Sequence, residues 1–340
     1  MKILFKCWQL IDHMDTIYIE HQVADHDKTQ AICSRYPDAR RVPIVKYKDV
    51  FNAPAQNFRQ QKQSPKLILA HQSGNRLHPT PPGYHIGGEN NYYFSHMLNC
   101  VYDCRYCFLQ GMYQSANYVF FVNTEDFLQD ITNTSNESEE ISWFFSGYDC
   151  DSLALNPITG FVDSCLDHFT TLNNAYLELR TKSTQIRCLL SREPVSNVVV
   201  AYSLSPESIA KHEEHGAPSL KKRLDALASL QNAGWLIGLR FDPLLYASNF
   251  DELYEEFFYQ VFNALDASSI HSVSLGVFRL PRDFYKRLVK LYPDAKLLAA
   301  PLHQRDGMVS YPEADESRMR EFCMQQLSKF IRDDQLFPCS

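Results

Sequence analysis

The chain has 340 residues, which is long enough for one large domain, or for one large and one small domain, around a sizeable core. Hydrophobic residues make up 45% of the chain and charged residues 21%, values typical of globular proteins, which excludes disorder as the main state. The net charge of −7 excludes a basic surface over the whole protein, so a nucleic-acid partner would need a local basic groove.

The N-terminal sequence and the cysteines favour a reducing compartment. The apolar stretch before Asp12 and His13 is too short for a signal peptide, and no window approaches 18 uninterrupted apolar residues. We therefore expect a cytoplasmic protein with no membrane partner. In that compartment the 10 cysteines, among them Cys7, are expected to be free, metal-bound or reactive rather than paired.

Residues 1–85 are predicted to form a small α/β segment that leads into a larger unit. Two loops rich in Gln, Asn, Pro or Gly, at 52–66 and 78–91, interrupt it. The predicted elements, in chain order, are a strand at 17–20, a helix at 27–35, and strands at 41–45 and 67–72.

Residues 86–340 are predicted to form the main unit, in which apolar strands alternate with amphipathic helices. Leu220, Leu224 and Leu227 follow helical spacing, and that helix is expected to end at Gly234. Nearly apolar strands between such helices indicate a parallel sheet covered by helices, and six β/α units predict a barrel or partial barrel. Its chemistry is expected at the carboxyl ends of the strands. The six strand candidates cover 92–95, 141–147, 175–181, 197–205, 234–242 and 271–280.

A cysteine cluster directly after the first of these strands is the strongest functional signal. The run reads Cys100-Val-Tyr-Asp-Cys104-Arg-Tyr-Cys107. Three thiolates can hold three irons of a [4Fe–4S] cluster and leave the fourth iron open for a small chelating molecule. The alternative is a structural zinc ion, since His96 would complete a Cys₃His set, and the chain would then be a zinc-stabilised binding protein without catalysis.

The spacing C-x₃-C-x-(aromatic)-C, with Tyr106 in the aromatic position, resembles the radical S-adenosylmethionine superfamily. The runs at 104–110, 115–118 and 122–126 more narrowly resemble the spore photoproduct lyase family. The resemblance implies a partial (β/α)₆ barrel, a [4Fe–4S] cluster, and S-adenosylmethionine chelated at the open iron and cleaved to a 5′-deoxyadenosyl radical. It further implies repair of a methylene-bridged thymine dimer in damaged DNA, with electrons from a flavodoxin- or ferredoxin-type donor.

The resemblance also suggests roles for residues near the strand ends. Tyr106 is expected near the adenine and is a catalytic candidate as well. Lys182 could pair with the methionyl carboxylate of the cofactor. The other expected cofactor contacts are Ser146 and Gly147 near the amino group, and Ser203 and Ser205 near the ribose.

The sequence departs from the family pattern at the hydrogen-atom donor, a cysteine at the end of the second barrel strand. An ungapped placement puts Tyr148 there, with Cys150 two residues later. On an extended backbone both side chains face the same way, and we favour Cys150 because a thiol S–H is the weaker bond. Phe108 stands where the family often has a tyrosine. These differences leave open a radical enzyme that acts on RNA, a peptide or a small metabolite.

The C-terminal portion offers candidate DNA contacts. Arg279, Arg282, Arg305 and Tyr311 could line a basic and aromatic groove. Spread charges on a chain of net charge −7 are the alternative, and they would then form an ordinary solvated surface.

Overall fold

The structure is a computed structural model and describes residues 13–339. Cys7 and most of the N-terminal sequence used to exclude a signal peptide lie outside the described residues. The strands, in chain order, are β1 Thr16–Glu20, β2 Arg40–Ile44, β3 Leu67–Ala70, β4 Leu77–Pro79, β5 Asn90–Phe94, β6 Met97–Leu98, β7 Asp103–Cys104, β8 Tyr118–Phe121, β9 Ser142–Ser146, β10 Ala175–Thr181, β11 Val198–Ser203, β12 Glu214–His215, β13 Leu236–Leu244, β14 Ile270–Val277, β15 Arg279–Pro281, β16 His303–Arg305, β17 Met308–Ser310 and β18 Leu336–Pro338.

Both helices that were located from the sequence are present, and several one-turn helices occur in the loops. The predicted helix at 27–35 is observed with the same bounds. The α-helices are α1 Asp27–Arg35, α2 Phe58–Gln61, α3 Leu109–Met112, α4 Thr124–Asn136, α5 Asn156–Thr159, α6 Phe161–Phe169, α7 Arg187–Leu190, α8 Glu207–Glu213, α9 Leu220–Asn232, α10 Phe250–Ala264, α11 Arg282–Leu291 and α12 Glu313–Leu327. No helix within residues 13–339 combines the length and the apolar character needed to cross a membrane.

A five-stranded sheet contains the N-terminal strands, in the order β2-β1-β3-β8-β6. Its first four strands are parallel, and β6 pairs antiparallel with β8. Strand β8 comes from beyond the cysteine cluster, so the N-terminal strands share a sheet with residues on the far side of residue 85. The division into units 1–85 and 86–340 stays a prediction.

The main sheet has eight strands, in the order β18-β14-β13-β11-β10-β9-β5-β4. Strands β5, β9, β10, β11, β13 and β14 are the six predicted barrel strands, and all neighbouring pairs among them are parallel. A seventh parallel strand, β18, and an antiparallel strand, β4, form the two edges. The sheet is open between these edges, as a partial barrel requires.

The predicted sixth barrel strand is split in the structure. Strand β14 ends at Val277, and Arg279 begins β15, which pairs antiparallel with β17 in a small three-stranded sheet. Arg279 therefore does not end the sixth barrel strand, but it lies close to that end.

The chain crosses from the main sheet to the five-stranded sheet between β5 and β6, and the cysteine loop follows β6 and precedes β8. Within the loop, strand β7 pairs antiparallel with β12. Lys62 directly follows helix α2, and its Nζ donates a hydrogen bond to the carbonyl oxygen of Cys100 at 2.9 Å. The loop is thus held by contacts from both sides.

Candidate active site

A cavity of about 510 Å³ opens at the carboxyl ends of the parallel strands. All three clustered cysteines line it, and it has many aromatic and proline side chains in its wall. Seven of the predicted catalytic and cofactor-binding residues also line it: Tyr106, Ser146, Gly147, Tyr148, Cys150, Lys182 and Ser203. The sequence therefore identified a large part of one contiguous wall.

The backbone of the cysteine loop is tied down at several points. Residue Cys104 pairs with Glu214 in the β7–β12 ladder, and its carbonyl oxygen accepts a hydrogen bond from Gln110 Nε2 at 2.5 Å. The amide of Cys107 donates to the carbonyl oxygen of Cys104 at 3.1 Å. These bonds fix the backbone on which the thiols of Cys104 and Cys107 are carried.

The three thiols fit the donor set of an iron–sulfur cluster. Cys100, Cys104 and Cys107 are all free cysteines on the same cavity. Burial raises the pKa of each thiol above its ordinary value, so burial by itself favours the neutral form. Bound iron ions, whose positive charge opposes this effect, would favour the thiolates that ligate them.

The Cys₃His zinc alternative is not supported by the position of His96. Its ring stacks on Phe161 at a centroid separation of 3.7 Å, and its Nε2 lies 3.9 Å from the Sγ of Cys150. Among residues 13–339, no three Cys, His, Asp or Glu side chains are placed to hold a single metal ion. His96 is instead part of the packing around Cys150.

A buried carboxylate, Glu214, organises the cavity wall beside the cysteines. It accepts hydrogen bonds from the Tyr106 hydroxyl, from Ser205 Oγ at 3.0 Å and from Arg223 Nη2, and Lys182 Nζ lies 3.8 Å away. Burial alone would raise the pKa of Glu214, but the charges of Arg223 and Lys182 outweigh it and bring the pKa to about 2. Glu214 is therefore ionised and holds Tyr106 and Lys182 in place.

Ser205 is the one predicted cofactor residue that lies away from the cavity wall. It is buried, and its hydroxyl donates to Glu214. Ser203 does line the cavity, and its hydroxyl accepts a hydrogen bond from Arg180 Nε at 3.3 Å. The two serines therefore have different surroundings, although the sequence suggested one shared role.

The ends of β9 and β10 are fixed to each other by a second buried carboxylate, Asp151. Its oxygens accept from Thr181 Oγ1 and from the amide of Lys182, both at 2.7 Å. Gly147 adopts a φ of +88°, and a Cβ there would lie 2.6 Å from Ser152 Oγ, so the turn requires glycine. This geometry sets the position of Lys182 relative to the loop that follows β9.

Cys150 and Tyr148 both reach the cavity, but not for the reason expected. The condition of an extended backbone is not met, because β9 ends at Ser146 and the positive φ of Gly147 turns the chain. The turn brings both side chains to the wall nevertheless. The alternating directions of side chains along an extended strand therefore do not explain where Tyr148 and Cys150 lie.

The surroundings of Cys150 keep its thiol neutral. The side chain is buried, and burial raises its pKa well above the ordinary value for cysteine. Burial also lowers the pKa of the neighbouring His96 to about 3, so the imidazole carries no charge at neutral pH. An uncharged imidazole gives no electrostatic help to a thiolate, and the S–H form persists.

Tyr148 lies in an aromatic group. Its ring stacks on Tyr93 at a centroid separation of 4.1 Å and lies 5.4 Å from the ring of Phe108. Burial raises the pKa of Tyr148 to about 12, so its hydroxyl is protonated at neutral pH. The phenol therefore keeps its O–H beside the phenylalanine that replaces the family's frequent tyrosine.

The four predicted DNA contacts have different environments. Tyr311 is buried, and its hydroxyl oxygen accepts a hydrogen bond from the amide of Tyr246, so it cannot be a surface aromatic. Arg305 is exposed but is paired with two glutamates. Arg282 is exposed next to Asp283, and Arg279 lines the cavity. The structure therefore does not bring the four together as one groove.

Sequence reasoning missed the residues that support the site from distant positions. Glu214 and Asp151 were not singled out, nor were Arg180 and Tyr84, which meet in a hydrogen bond on the cavity wall. The only sequence signal for such residues is a charged side chain in or next to an apolar strand. Arg180, within the apolar strand at 175–181, is an example.

The family of the chain follows from a comparison with family models. The model described as spore photoproduct lyase matches residues 14–335. The chain belongs to the spore photoproduct lyase family. The spore photoproduct lyase of Bacillus subtilis (strain 168) is 22% identical over 330 residues, covering 93% of this chain and 95% of that protein. The enzyme of Geobacillus sp. (strain Y412MC61) is 22% identical over 202 residues, covering 58% of this chain and 59% of that protein.

Solved structures of the family confirm the predicted fold. A mutant spore photoproduct lyase with bound AdoMet and dinucleoside spore photoproduct has a TM-score of 0.83 at 17% identity, covering 96% of this chain and 98% of the other. A spore photoproduct lyase complexed with dinucleoside spore photoproduct gives the same TM-score at 15% identity and the same coverage. The partial barrel of the radical S-adenosylmethionine type, predicted from the resemblance, is thus the observed architecture.

Proposed function

We propose that this chain is a radical S-adenosylmethionine lyase that reverses the methylene-bridged thymine dimer, 5-thyminyl-5,6-dihydrothymine, in damaged DNA. The observation that carries the proposal is the single cavity on which Cys100, Cys104 and Cys107 meet the strand-end residues, in a chain of the spore photoproduct lyase family. The dinucleoside spore photoproduct and AdoMet bound in related structures support the same substrate and cofactor.

The three cysteines would hold a [4Fe–4S] cluster, with one iron left for the amino and carboxylate groups of S-adenosylmethionine. Together these groups supply a 5′-deoxyadenosyl radical when bound. A flavodoxin- or ferredoxin-type protein is the proposed electron source. The cytoplasm is the proposed location, because a DNA repair enzyme needs access to DNA and a reduced iron–sulfur cluster needs a reducing compartment.

The cavity wall would position S-adenosylmethionine through residues already fixed in place. Lys182 is held between Glu214 and the Tyr106 ring, and its ammonium can pair with the methionyl carboxylate. Ser146, Gly147 and Ser203 line the same wall and can hydrogen-bond to the amino and ribose groups. Ser205 would act on the cofactor only through Glu214, since its hydroxyl is donated there.

Cys150 is the proposed hydrogen-atom donor to the thymine radical that remains after the dimer separates. The S–H bond of Cys150 breaks, a C–H bond forms on the thymine methyl group, and a thiyl radical remains on Cys150. The buried, neutral thiol is in the protonation state that this step requires. Tyr148 is the alternative donor, because its protonated hydroxyl belongs to the same wall.

The proposal is tested by anaerobic reconstitution with iron and sulfide, followed by reductant, S-adenosylmethionine and an oligonucleotide that carries the dimer. We expect recovery of thymine together with 5′-deoxyadenosine. A Cys104→Ser variant, with one cluster ligand removed, is expected to lose the iron-dependent visible absorbance and both products. A matched Cys323→Ser variant, changed at a buried cysteine remote from the cavity lining, should keep the absorbance.

Two outcomes would contradict the proposal in different ways. Formation of 5′-deoxyadenosine without thymine recovery would refute the DNA lesion as substrate and favour another substrate, such as RNA, a peptide or a small metabolite. Zinc retained by the wild-type protein, with no visible absorbance and no 5′-deoxyadenosine, would refute the radical chemistry itself.

A further inference from the structure

Three charged side chains form a polar triad on the cavity wall: Arg180, Asp242 and Arg279. They come from different elements, since Arg180 is on β10, Asp242 on β13 and Arg279 at the start of β15. Arg180 Nη2 lies 3.7 Å from Asp242 Oδ2, and Arg279 Nη1 lies 3.5 Å from Asp242 Oδ1. The carboxylate therefore lies between two guanidinium groups, each near a different oxygen.

The surrounding structure holds the triad in place. Arg180 donates from Nε to Ser203 Oγ and from Nη1 to the Tyr84 hydroxyl, and Arg279 Nη1 donates to the carbonyl oxygen of Val277. Gly276 leaves the necessary space, because a Cβ there would lie 2.8 Å from Arg279 Nη1 and 3.1 Å from Asp242 Oδ1.

The triad keeps hydrogen-bonding capacity for a ligand. At 3.7 and 3.5 Å the two Arg–Asp contacts are longer than good hydrogen bonds. Each guanidinium has five N–H donors, and only some of those on Arg180 and Arg279 are engaged by the bonds described above. Further N–H groups and the oxygens of Asp242 therefore remain able to bond to a molecule in the cavity.

The order of these groups specifies the chemistry of the ligand. Arg180 and Arg279 offer donors on either side of the acceptor Asp242. The complementary group has two acceptors on either side of a donor, which is the C=O, N–H, C=O imide edge of a thymine. A free phosphate fits less well, because the Asp242 carboxylate would repel it. Aromatic side chains line the same cavity, among them Tyr93, Phe145 and Phe278, and give it apolar surface against which a base can pack.

We propose that Arg180, Asp242 and Arg279 bind the imide edge of one thymine of the lesion. This assignment rests on the proposed function, because it takes the thymine dimer as the substrate. Both rings of that dimer keep the imide, so the triad distinguishes thymine from cytosine, which lacks the N–H between two carbonyl groups. The role of the triad is substrate recognition, and the hydrogen transfer stays with the residues near the cysteines.

The test measures the dissociation constant of the dinucleotide form of the lesion and of its N3-methylated analogue, in the anaerobic, cluster-loaded enzyme. For the wild type, methylation removes the N–H bond to Asp242, and binding should weaken about 10- to 100-fold. In Asp242→Ala the lesion should bind more weakly by a similar factor, and the difference between the two ligands should nearly disappear. Asp242→Asn serves as a second variant that preserves the side-chain shape.

The matched control is Asp251→Ala, which removes a carboxylate from an exposed pair with Arg318 on the helices. It should retain the wild-type difference between the two ligands. The dissociation constant of S-adenosylmethionine is measured for every variant and should stay unchanged. Circular dichroism and iron content confirm that each variant is folded and loaded.

The outcomes separate this inference from the proposed function. Equal binding of both ligands by a wild type that repairs the lesion would overturn the triad's role and leave the proposed function intact. A methylation effect that persists in Asp242→Ala, or a loss of S-adenosylmethionine affinity in that variant instead, would also overturn it. A wild type that forms 5′-deoxyadenosine but neither binds nor repairs the lesion would refute the proposed substrate, and the inference with it.

Discussion

Removing one partner of the buried ion pair between Arg240 and Glu178 should strongly destabilise the protein. Both side chains are 1% exposed, and the pair is bidentate, with Arg240 Nη2 2.7 Å from Glu178 Oε2 and Nε 3.2 Å from Oε1. Arg240 also donates to Ser272 Oγ and to the carbonyl oxygens of Ser272 and Leu239. Its donors are thus engaged on all three nitrogens.

Arg240→Met should destabilise the protein by about 3–5 kcal/mol, because it leaves the Glu178 carboxylate buried without its counter-charge. This is a large part of the roughly 5–15 kcal/mol that separates folded from unfolded domains. The double variant Glu178→Leu/Arg240→Met should recover most of the loss, since both charges are then absent. Arg318→Met, which breaks an exposed pair with Asp251, should change stability by only about 0–1 kcal/mol.

Equilibrium unfolding in urea, followed by circular dichroism and tryptophan fluorescence, measures these free energies. The reasoning would be refuted if Arg240→Met stayed within about 1 kcal/mol of Arg318→Met. It would also be refuted if the double variant were as unstable as the single one, since the loss would then come from packing rather than from an unpaired charge.

Three further predictions concern the site and its support. The pKa of Glu214 is about 2 in the folded protein against an ordinary 4.5. Its ionisation should therefore contribute of the order of 3 kcal/mol to the free energy of unfolding above pH 4.5, and this contribution should disappear as the pH falls toward 2. Urea unfolding across this pH range should show a smaller loss of stability at low pH in Glu214→Gln than in the wild type. Cys150→Ala should still form 5′-deoxyadenosine but give misquenched thymine products by mass spectrometry, whereas the same result with Tyr148→Phe and not with Cys150→Ala would assign the donor to the tyrosine. Gly111→Ala should destabilise the protein by about 1–3 kcal/mol, because its Cβ would lie 2.6 Å from Leu288 Cδ1, and an unchanged thermal midpoint would show that α3 and α11 can separate freely.

Much of the fold was predictable because hydrophobic patterning is local. The six barrel strands and the helix Asp27–Arg35 follow from apolar runs and helical spacing within short windows. Strand β8 was not predicted, although its four residues are all buried. A run this short becomes a strand through its partner β3, and that pairing joins residues far apart in the sequence.

The part of the candidate site that lies within one short segment of the chain was predictable. The spacing of Cys100, Cys104 and Cys107 indicated a cluster without any knowledge of the fold. Glu214 could not be found in this way, because its hydrogen bond with Tyr106 spans 108 positions in the chain. The same holds for Arg180 and Tyr84, which are 96 positions apart. Such contacts exist only after the strands have been ordered side by side.

The way the chain crosses between its two large sheets limits how the protein can be divided. Strands β4 and β5 of the main sheet come before the cysteine loop, and strand β8 of the five-stranded sheet comes after it. A gene split within the loop would therefore give two polypeptides, neither of which contains a complete large sheet. The two halves therefore do not correspond to separate folding units, because β3 pairs with β8 and β5 pairs with β9 across the loop.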